Sequence, residues 1–397
     1  MSSLRVLQIV PSLSLVYGGP SQMVLGLSKG LASQGVEVTV LTTDANGDVG
    51  QAPLDVPINQ PVFQDGYQVR YFHCSPFRRY KFSIGLLNWL SKNAHDYDIA
   101  HIHALFSPIS SVAATVARTK QLPYILRPLG TLDPADLQKK KQLKKIYAAL
   151  LERRNLAGAA AVHFTSDQEA KTSERFGVTT RDWVMPLGVE LPPAEPMTKA
   201  EVRRRLGITD NAPLVLFMSR IDPKKGLNLL LPALKQLHAE NVPFHLVLAG
   251  DNPQDPQYAN QIREQIQTSV LADCTTLTGF VSGAFKTQLL QAADLFVLPS
   301  YYENFGIAVA EAMTVGVPVL ISDQVHIWQE IQQSQSGWIC TCDIANLTQN
   351  LRGGLHSSNE RQQRGTNAQT YALQHYSWTA IAQQMIQAYQ QLLSAAR

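Results

Sequence analysis

Short runs of apolar residues alternate with segments of helical periodicity along nearly the whole chain. Such runs are typical of strands that crossover helices bury on both faces, so the pattern predicts an α/β fold around parallel sheets. In the first half we expect strands near Arg5–Val10, Val36–Leu41, Val69–Phe72, Ile99–His103, Tyr124–Arg127, Ala160–Phe164 and Trp183–Pro186. In the second half we expect strands near Leu214–Ser219, Phe244–Ala249, Thr275–Leu277, Leu295–Leu298, Val317–Ile321 and Trp338–Cys340.

A proline-rich segment interrupts this alternation after residue 187. Pro192, Pro193 and Pro196 lie within five residues, which is typical of a linker. We therefore predict two doubly wound, Rossmann-like domains, residues 1–187 and 188–377, that face each other across a cleft. A helix over about 378–397 could pack back on the first domain. Ligands of such sheets bind at the carboxyl ends of the strands.

Composition excludes several classes of protein. Of the 397 residues, 45% are hydrophobic and 16% are charged, which is ordinary for a globular protein. The net charge of +3 is too small to imply a nucleic-acid partner. The four cysteines show no metal-ligand spacing, so we expect reduced thiols and a cytoplasmic location. We expect no transmembrane helix, since no run of about 18 apolar residues occurs.

The segment 302–312 carries two carboxylates in an apolar setting. Phe305-Gly306 is typical of a turn that opens a helix, which places Glu311 inside that helix. A buried carboxylate is costly without hydrogen-bond donors, and the free amides at the helix start, next to Glu303, suit a phosphate. Two acceptor carboxylates flanking an anion site fit a nucleotide-sugar. The alternative is that Glu311 is a core residue paired with an arginine and that Glu303 only caps the helix.

A second cluster opens the second half of the chain. A predicted strand delivers Arg220 to its carboxyl end, and Lys225 follows on the loop before the next helix. A bidentate guanidinium and a compact ammonium together suit a diphosphate. A solvated basic loop is the alternative for these two residues taken alone.

Together these residues resemble the retaining glycosyltransferases of family 4, whose two-domain fold is called GT-B, and the resemblance covers nearly the whole chain. It implies that Glu303 contacts hydroxyls of the donor sugar, that Glu311 contacts the ribose, and that backbone around Val281 meets the nucleobase. It also implies a metal-independent reaction with no cofactor. The donor-binding residues that it implies are Gly18, Gly19, Arg220, Lys225, Val281, Glu303, Asn304, Phe305, Gly306 and Glu311.

Two further motifs lie after strands of the first half. Gly18 and Gly19 would let backbone approach an anion, and the family has a similar loop facing the diphosphate and acceptor. His101 and His103 are two apart on one strand; without a third ligand a metal is disfavoured. The resemblance places His103 near the donor sugar and makes it catalytic with Glu303, Arg220 and Lys225, whereas we expect His101 in the core.

Two charged segments have competing explanations. Asp96-Tyr97-Asp98 matches the acid-any-acid signature of metal-dependent enzymes of another fold, but it precedes a strand, and we interpret it as a turn. Arg127, which ends a strand, could face an acceptor or a phosphate. A basic helix follows over 137–154, with Leu143, Ile146, Tyr147, Leu150 and Leu151 as one apolar stripe. It could dock on an anionic membrane surface, but we favour packing of the stripe on the sheet.

We therefore predict a retaining hexosyltransferase that moves a sugar from a nucleoside diphosphate donor, with UDP favoured, to a hydroxyl acceptor. The acceptor could be a sugar, a lipid-linked sugar or a small molecule. The segment from Arg127 to Pro134, with the basic helix after it, resembles a subgroup of the family associated with extracellular polysaccharide assembly, which favours exopolysaccharide or glycolipid synthesis. We expect a cytoplasmic enzyme that could lie peripherally on the inner face of the plasma membrane. The alternatives are a catalytically silent binding subunit and a sugar-nucleotide epimerase.

Overall fold

A computed structural model gives the structure of residues 3–14, 16, 19–47, 51–75, 80–138, 141–195, 197–208, 212–253 and 255–395. The chain forms two compact units, one of Met1–Gly188 with Trp378–Arg397 and the other of Val189–Ser377. Each unit has an α/β fold, with one β-sheet and helices packed against it. No helix in the described part of the chain is long and apolar enough to cross a bilayer.

The first unit has an eight-stranded sheet in the order β3-β4-β2-β1-β5-β6-β7-β8, parallel except for the β3–β4 pair. The order reverses between β1 and β5, which is the topological switch point of this sheet. The strands of this sheet are β1 (Arg5–Ser12), β2 (Glu37–Thr43), β3 (Pro61–Gln64), β4 (Tyr67–Phe72), β5 (Ile99–His103), β6 (Tyr124–Arg127), β7 (Ala161–Phe164) and β8 (Asp182–Val184). Strand β3 was not predicted from the sequence pattern.

Apolar residues on both faces of this sheet form two cores, as a parallel sheet requires. Along β1, Val6 and Val10 belong to one core, whereas Leu7 and Ile9 belong to the other, because successive side chains point to opposite faces. The helices that follow these strands are α1 (Gly19–Ser33), α2 (Ile84–Asn93), α3 (Pro108–Thr119), α4 (Pro134–Gln138), α5 (Lys141–Tyr147), α6 (Arg153–Gly158) and α7 (Asp167–Thr172).

The basic segment after β6 is helical, as predicted. After α4, the chain is helical without a break from α5 through a π-helical turn at Ala148–Glu152 to the end of α6, and residues 139 and 140 lie outside the described residues. The expectation that its apolar stripe packs on the sheet is wrong for Leu143, Ile146 and Leu150, which are exposed. The face turned inward is instead a mixed one that includes Ala148 and Glu152.

The second unit has a six-stranded, entirely parallel sheet in the order β11-β10-β9-β12-β13-β14. This is the doubly wound order, and its switch point lies between β9 and β12. The strands are β9 (Leu214–Met218), β10 (His245–Ala249), β11 (Thr275–Gly279), β12 (Leu295–Leu298), β13 (Val319–Ser322) and β14 (Gly337–Cys340). The helices are α8 (Lys199–Arg205), α9 (Leu227–Ala239), α10 (Pro256–Gln267), α11 (Gly283–Ala292), α12 (Ile307–Thr314), α13 (Trp328–Gln333), α14 (Ile344–His356) and α15 (Ser358–His375).

The proline-rich segment is attached to the second unit. Thr287 Oγ1 donates to the carbonyl of Pro192 at 2.7 Å, and Gln288 Nε2 donates to the carbonyl of Glu195 at 3.1 Å. Both donors belong to α11. Hydrogen bonds to the body of the unit are not expected of a free linker, so the crossings between the units fall at 188–189 and 377–378.

The final helix, α16 (Trp378–Ala395), returns to the first unit and packs on α1. Ile381, Met385 and Tyr389 enter one of the two cores of that unit. Two helical glycines of α1 make room for it: a β-carbon on Gly26 would lie 2.2 Å from the ring of Trp378, and one on Gly30 would lie 2.9 Å from its carbonyl oxygen.

Candidate functional site

The predicted cationic and acidic residues of the second unit follow two adjacent strands. Arg220 and Lys225 follow β9, and Glu303 follows β12. These two strands are hydrogen-bonded neighbours on either side of the switch point. In an open α/β sheet the crevice at this point is where ligands bind, so the fold brings the predicted residues to the expected place.

Backbone contacts tie the two loops together. The amide of Tyr301 donates to the carbonyl of Lys224 at 2.8 Å. Gly226, which caps α9, has a left-handed φ of 75°, and a β-carbon there would lie 1.9 Å from the carbonyl oxygen of Pro299. Only glycine permits this approach, which holds the loop of Lys225 against the loop of Glu303.

Lys225 and Glu303 form an ion pair between these loops, with both side chains largely buried. The backbone of Glu303 is fixed as well, since its amide donates to Gln324 at 3.1 Å and its carbonyl accepts from His326 at 2.9 Å. Tyr302 packs edge-on against the ring of His326 and donates to Asn304 Oδ1 at 2.5 Å. The carboxylate of Glu303 is therefore held next to a cation on a fixed backbone.

The turn before α12 matches the prediction. Gly306 is the N-cap, in a left-handed conformation with φ of 76°, and offers no side chain to cap the helix. Phe305 is buried against the ring of Tyr376, which anchors the turn. The first amides of a helix have no partner within it, so this uncapped end presents donors of positive character to an anion.

Glu311 lies inside α12 and is buried, as the apolar pattern predicted. Its Oε1 accepts a hydrogen bond of 2.5 Å from Lys286 Nζ on α11. Burial raises the pKa of Glu311, and the charge of Lys286 opposes that rise. The alternative of a core glutamate paired with an arginine is wrong about the partner, because the cation that contacts Glu311 is Lys286.

Lys286 was absent from the sequence-based set. The available signal was weak: a single lysine in a helix, α11, whose neighbouring positions Thr287 and Leu289 are buried. A search for the cation that a buried carboxylate requires would have pointed to such a residue.

The remaining predicted donor contacts lie on the same unit. Arg220 is 45% exposed, and its Nε lies 3.9 Å from Asp222 Oδ2. Gly279, the last residue of β11, has a φ of 69°, and its carbonyl accepts from the amide of Gly250 at 2.8 Å. Phe280 is exposed and Val281 is half-buried. The backbone around Val281 therefore lies at the carboxyl end of a strand, where a nucleobase contact was predicted.

In the first unit, Gly19 is the first residue of α1, whereas Gly18 lies outside the described residues. Ser21 anchors the start of the helix by donating to the carbonyl of Ser14 at 2.9 Å. His103 ends β5, beside the switch point. The structure thus places Gly19 and His103 next to the crevice of their own sheet, and their contact with a sugar donor stays a prediction.

Three histidines, Tyr389 and Gln8 form a buried hydrogen-bonded chain in this unit, in which Gln8 Nε2 donates to the hydroxyl of Tyr389 at 3.4 Å. His163 bonds to His101 at 3.2 Å, and His101 bonds to the hydroxyl of Tyr389 at 2.9 Å. His103 Nε2 lies 2.7 Å from Gln8 Oε1. Burial lowers the pKa of His163 to about 3 and that of the other two well below the usual value. The histidines are therefore neutral, and His101 lies in the core as expected.

Arg127 is buried beside this chain. Its Nη2 donates to Met23 Sδ at 3.2 Å, and burial lowers the pKa of the guanidinium to about 10. The segment Asp96-Tyr97-Asp98 is a turn between a short helix and β5, as predicted, and Asp98 accepts from the amide of Arg5 at 2.7 Å. Among the described residues, no group of three or more His, Cys, Asp or Glu could hold a metal ion.

Comparison with known proteins agrees with this geometry. Residues 198–371 match the family model described as "Glycosyl transferases group 1", and residues 18–188 match the "Glycosyl transferase 4-like domain". The alpha-D-kanosaminyltransferase of Streptomyces kanamyceticus is 29% identical over 49% of either chain. The D-inositol 3-phosphate glycosyltransferase of a Nocardioides species is 24% identical over 94% of this chain and 85% of its own length.

Solved structures share the fold. Anabaena HepE in complex with UDP and glucose superposes with a TM-score of 0.73 at 21% identity, over 98% of this chain and 100% of that one. The two family models together cover both units, each on its own sheet. The chain therefore belongs to the family-4 glycosyltransferases, enzymes of the GT-B class that transfer a sugar from a nucleotide-sugar.

Proposed function

We propose that this enzyme transfers a sugar from a UDP-sugar to a hydroxyl acceptor with retention of the anomeric configuration. The observation that carries the proposal is the convergence of Arg220, Lys225 and Glu303 on two loops at one switch point. Cations and a carboxylate side by side suit a ligand that is anionic at one end and rich in hydroxyls at the other. UDP is favoured over GDP because the similar HepE structure holds UDP and glucose.

In the proposed reaction, the second unit stabilises charge on the departing diphosphate. Arg220, Lys225 and the amides of Asn304, Phe305 and Gly306 would surround it with fixed positive groups, the kind of preorganised stabilisation that contributes most to catalysis. Because these groups neutralise the leaving group themselves, the proposed mechanism requires no metal and no cofactor. The bond from the anomeric carbon to the phosphate oxygen breaks as the acceptor oxygen bonds on the same face, and the diphosphate takes the acceptor's proton.

The carboxylates have separate roles in this proposal. Glu303 accepts hydrogen bonds from hydroxyls of the donor sugar while Lys225, its partner in the structure, turns toward the phosphate. Glu311 accepts from the ribose hydroxyls, and the backbone at Val281 contacts the base. In the first unit, the family resemblance implies His103, Gly18 and Gly19 as residues for the donor.

We further propose that the acceptor belongs to exopolysaccharide or glycolipid synthesis and that the enzyme works in the cytoplasm. The acceptor would be a sugar or a lipid-linked sugar, and a small-molecule hydroxyl is the alternative. The acceptor proposal rests on the resemblance of the segment from Arg127 to Arg154 to a polysaccharide-associated subgroup, and the cytoplasmic location rests on the cysteine pattern.

A thermal-shift screen tests the donor assignment. Wild-type protein is heated with UDP-, GDP-, ADP- and TDP-sugars, alongside Arg220→Ala and a matched control, Arg352→Ala, whose arginine pairs with Glu240 on the surface of the same unit. We expect the largest stabilisation from a UDP-sugar, its loss in Arg220→Ala and its retention in Arg352→Ala. Equal shifts in both variants, or none in the wild type, would contradict the proposal.

A further inference from the structure

A histidine and an aspartate meet at the carboxyl edge of the first sheet. Asp44 directly follows β2 and His73 directly follows β4. These strands are hydrogen-bonded neighbours with Thr43 opposite Phe72, so the next residues of the two strands lie side by side. His73 Nδ1 is 2.6 Å from Asp44 Oδ2. We call Asp44 and His73 the dyad.

The aspartate of the dyad is buried and fixed, whereas the histidine reaches the surface. The side chain of Asp44 is 2% exposed and that of His73 is 64% exposed. Asp44 Oδ1 accepts from the amide of Cys74 at 2.9 Å. The backbone of Asp44 is held as well, since its amide donates to the carbonyl of Phe72 at 3.0 Å and its carbonyl accepts from the amide of Leu54 at 2.9 Å. A carboxylate held in this way sets the orientation of the imidazole ring.

The bond to Asp44 decides what the exposed side of the ring offers to a ligand. In a neutral imidazole one nitrogen donates a hydrogen bond and the other accepts one. Nδ1 carries the proton, because its partner is a carboxylate oxygen that can only accept. Nε2 is therefore an acceptor, and no described residue forms a hydrogen bond with it. Such an acceptor suits a hydroxyl group, whereas the carboxylate behind the ring disfavours a phosphate.

Hydrogen bonds connect the dyad to the switch point of the same sheet. Ser12 Oγ donates to the carbonyl of Ala45 at 2.7 Å, and Ser14 Oγ donates to Asn46 Oδ1 at 2.8 Å. The end of β1 and the loop after it are thereby attached to the loop after β2, which begins with Asp44. Strand β1 borders the switch point, where ligands of open α/β sheets bind. The dyad therefore lies at the edge of the sheet that receives ligands.

A second pair in the same unit shows an ordinary surface contact. His95 Nε2 lies 3.3 Å from Asp96 Oδ1, and the two side chains are 78% and 52% exposed. This pair precedes β5, at the amino edge of the sheet. Exposed pairs of this kind orient a side chain only weakly. The dyad differs from it in its buried aspartate, its shorter distance and its place in the fold.

We propose that His73, oriented by Asp44, binds a hydroxyl group of the acceptor. The inference rests on the proposed function, which requires a sugar or another hydroxyl compound as acceptor. The acceptor hydroxyl donates to His73 Nε2, a contact of recognition that leaves the proposed transfer of the reacting proton to the diphosphate unchanged. His73 is thus a specificity-determining residue that favours a neutral, hydroxyl-bearing group over an anionic group at this position.

Nuclear magnetic resonance of the full chain with ¹⁵N-labelled histidine tests the orientation of the ring. The spectrum of His73→Asn identifies the signals of His73. In the wild type we expect a protonated Nδ1 and an unprotonated Nε2. Asp44→Asn should reverse this, because its carbonyl oxygen keeps the bond to the amide of Cys74 and its NH₂ group then faces Nδ1. An unprotonated Nδ1 in the wild type would overturn the proposal.

Titration of the labelled wild type with defined compounds tests the ligand. Methyl α-glucoside, methyl α-galactoside, N-acetylglucosamine, myo-inositol and inorganic phosphate are added with and without UDP. We expect at least one of the polyhydroxy compounds to shift the Nε2 signal of His73, and phosphate to leave it in place. The absence of any such shift, or a shift with phosphate alone, would overturn the proposal. Neither result requires turnover, so both are distinct from a failure of the donor assignment, which the thermal-shift screen detects.

Calorimetry with the compound that binds separates recognition from a structural role. His73→Asn can still donate to Asp44 from the position of Nδ1 but has no group at the position of Nε2. Its dissociation constant should rise about five- to tenfold, the effect of one lost hydrogen bond, while its stabilisation by the donor stays as in the wild type. His73→Gln, whose amide reaches the position of Nε2, should restore part of the affinity, and the control His95→Asn should match the wild type. Equal affinity of His73→Asn and the wild type would overturn the proposal.

Discussion

At the scale of single residues, two ion pairs between a lysine and a glutamate hold the carboxylates of the candidate site in the second unit. Lys225 pairs with Glu303 and Lys286 pairs with Glu311, so within the described residues the cation beside each carboxylate is a lysine. Each pair joins residues from different elements. The ammonium group beside each carboxylate orients it, which is what a hydrogen-bond acceptor for sugar or ribose hydroxyls requires.

Removing one charge from the proposed donor site should abolish most activity. Glu303→Ala and Arg220→Ala should each lower the rate of transfer at least about a hundredfold, because each removes preorganised electrostatic stabilisation. Steady-state transfer with the donor found by thermal shift measures the effect. Glu240→Ala, which removes a surface ion-pair partner of Arg352, is the control. Near-normal transfer by either folded variant would refute the assigned roles.

Lys286 should act on the donor through Glu311. Burial raises the pKa of Glu311 and Lys286 opposes this, so Lys286→Met should raise that pKa further. Only the ionised carboxylate accepts from both ribose hydroxyls, so donor binding should weaken as the pH falls through the pKa of Glu311. Because that pKa is higher in the variant, the loss of donor binding on acidification should begin at a higher pH than in the wild type. In Lys286→Met we expect a raised KM for the donor and a smaller change in kcat. The rise in KM should be least at high pH, and Lys286→Arg should partly restore the wild-type KM.

A loss of donor binding in Lys286→Met that does not depend on pH would contradict this role and indicate a purely structural one.

At this scale the sequence could predict the charged residues next to turns, such as Arg220 and Glu303, since turn and strand patterns locate them. It could not predict Lys286, because its pairing with Glu311 depends on how α11 and α12 pack. The prediction that His101 lies in the core is confirmed.

At the scale of elements, the site depends on two loops that approach more closely than side chains would allow. Gly226 meets the carbonyl of Pro299, and Tyr301 bonds to Lys224. Most strands of the two sheets were predictable, because buried runs of branched apolar residues are distinctive. The exception is β3 of the first unit, a short edge strand that begins with Pro61 and lacks buried residues.

Substituting Gly226 separates backbone strain from the close approach. Gly226→Ala and Gly207→Ala both place a β-carbon at a left-handed φ, at a cost of about 1–2 kcal/mol each. At Gly207 no atom of the described residues lies within 4 Å of that β-carbon, whereas at Gly226 the β-carbon meets Pro299. We expect Gly226→Ala to lose more stability in urea and to weaken donor binding, and Gly207→Ala to leave binding intact. Equal effects would show that the close approach is unimportant.

The basic segment after β6 shows what hydrophobic periodicity cannot predict. An apolar stripe at helical spacing proves that one face is apolar, but it does not say what covers that face. Polar bonds from Tyr147, Glu152 and Asn155 to α3 decide the orientation, and they follow from tertiary positions that the sequence does not display.

At the scale of the whole molecule, the C-terminal helix α16 makes the first unit discontinuous in sequence. Its docking depends on Gly26, Gly30 and Gly188 around Trp378 and on the bond from Tyr389 to His101. The apolar spacing in residues 378–393 could predict a helix. Its seat on α1 could not be derived, because a missing side chain at Gly26 acquires meaning only when Trp378 occupies the space.

Filling that space should destabilise the first unit. In Gly26→Val the new side chain would overlap the ring of Trp378, and overpacking of this kind costs about 1–3 kcal/mol. Gly353→Val is the control, since a β-carbon there has one neighbour, Trp338 Nε1 at 4.0 Å. Urea unfolding should show the loss in the first variant and little change in the second. Equal stability of both would mean that Trp378 does not need this seat.

The central claim is that the second unit grips the diphosphate of a nucleotide-sugar between the loops that follow β9 and β12. A crystal structure of the enzyme with the UDP-sugar that stabilises it most tests this directly. The account predicts phosphate oxygens within hydrogen-bond distance of Arg220, Lys225 and the first amides of α12, with Glu303 on the sugar and Glu311 on the ribose. A donor bound at any other place on the chain would contradict it.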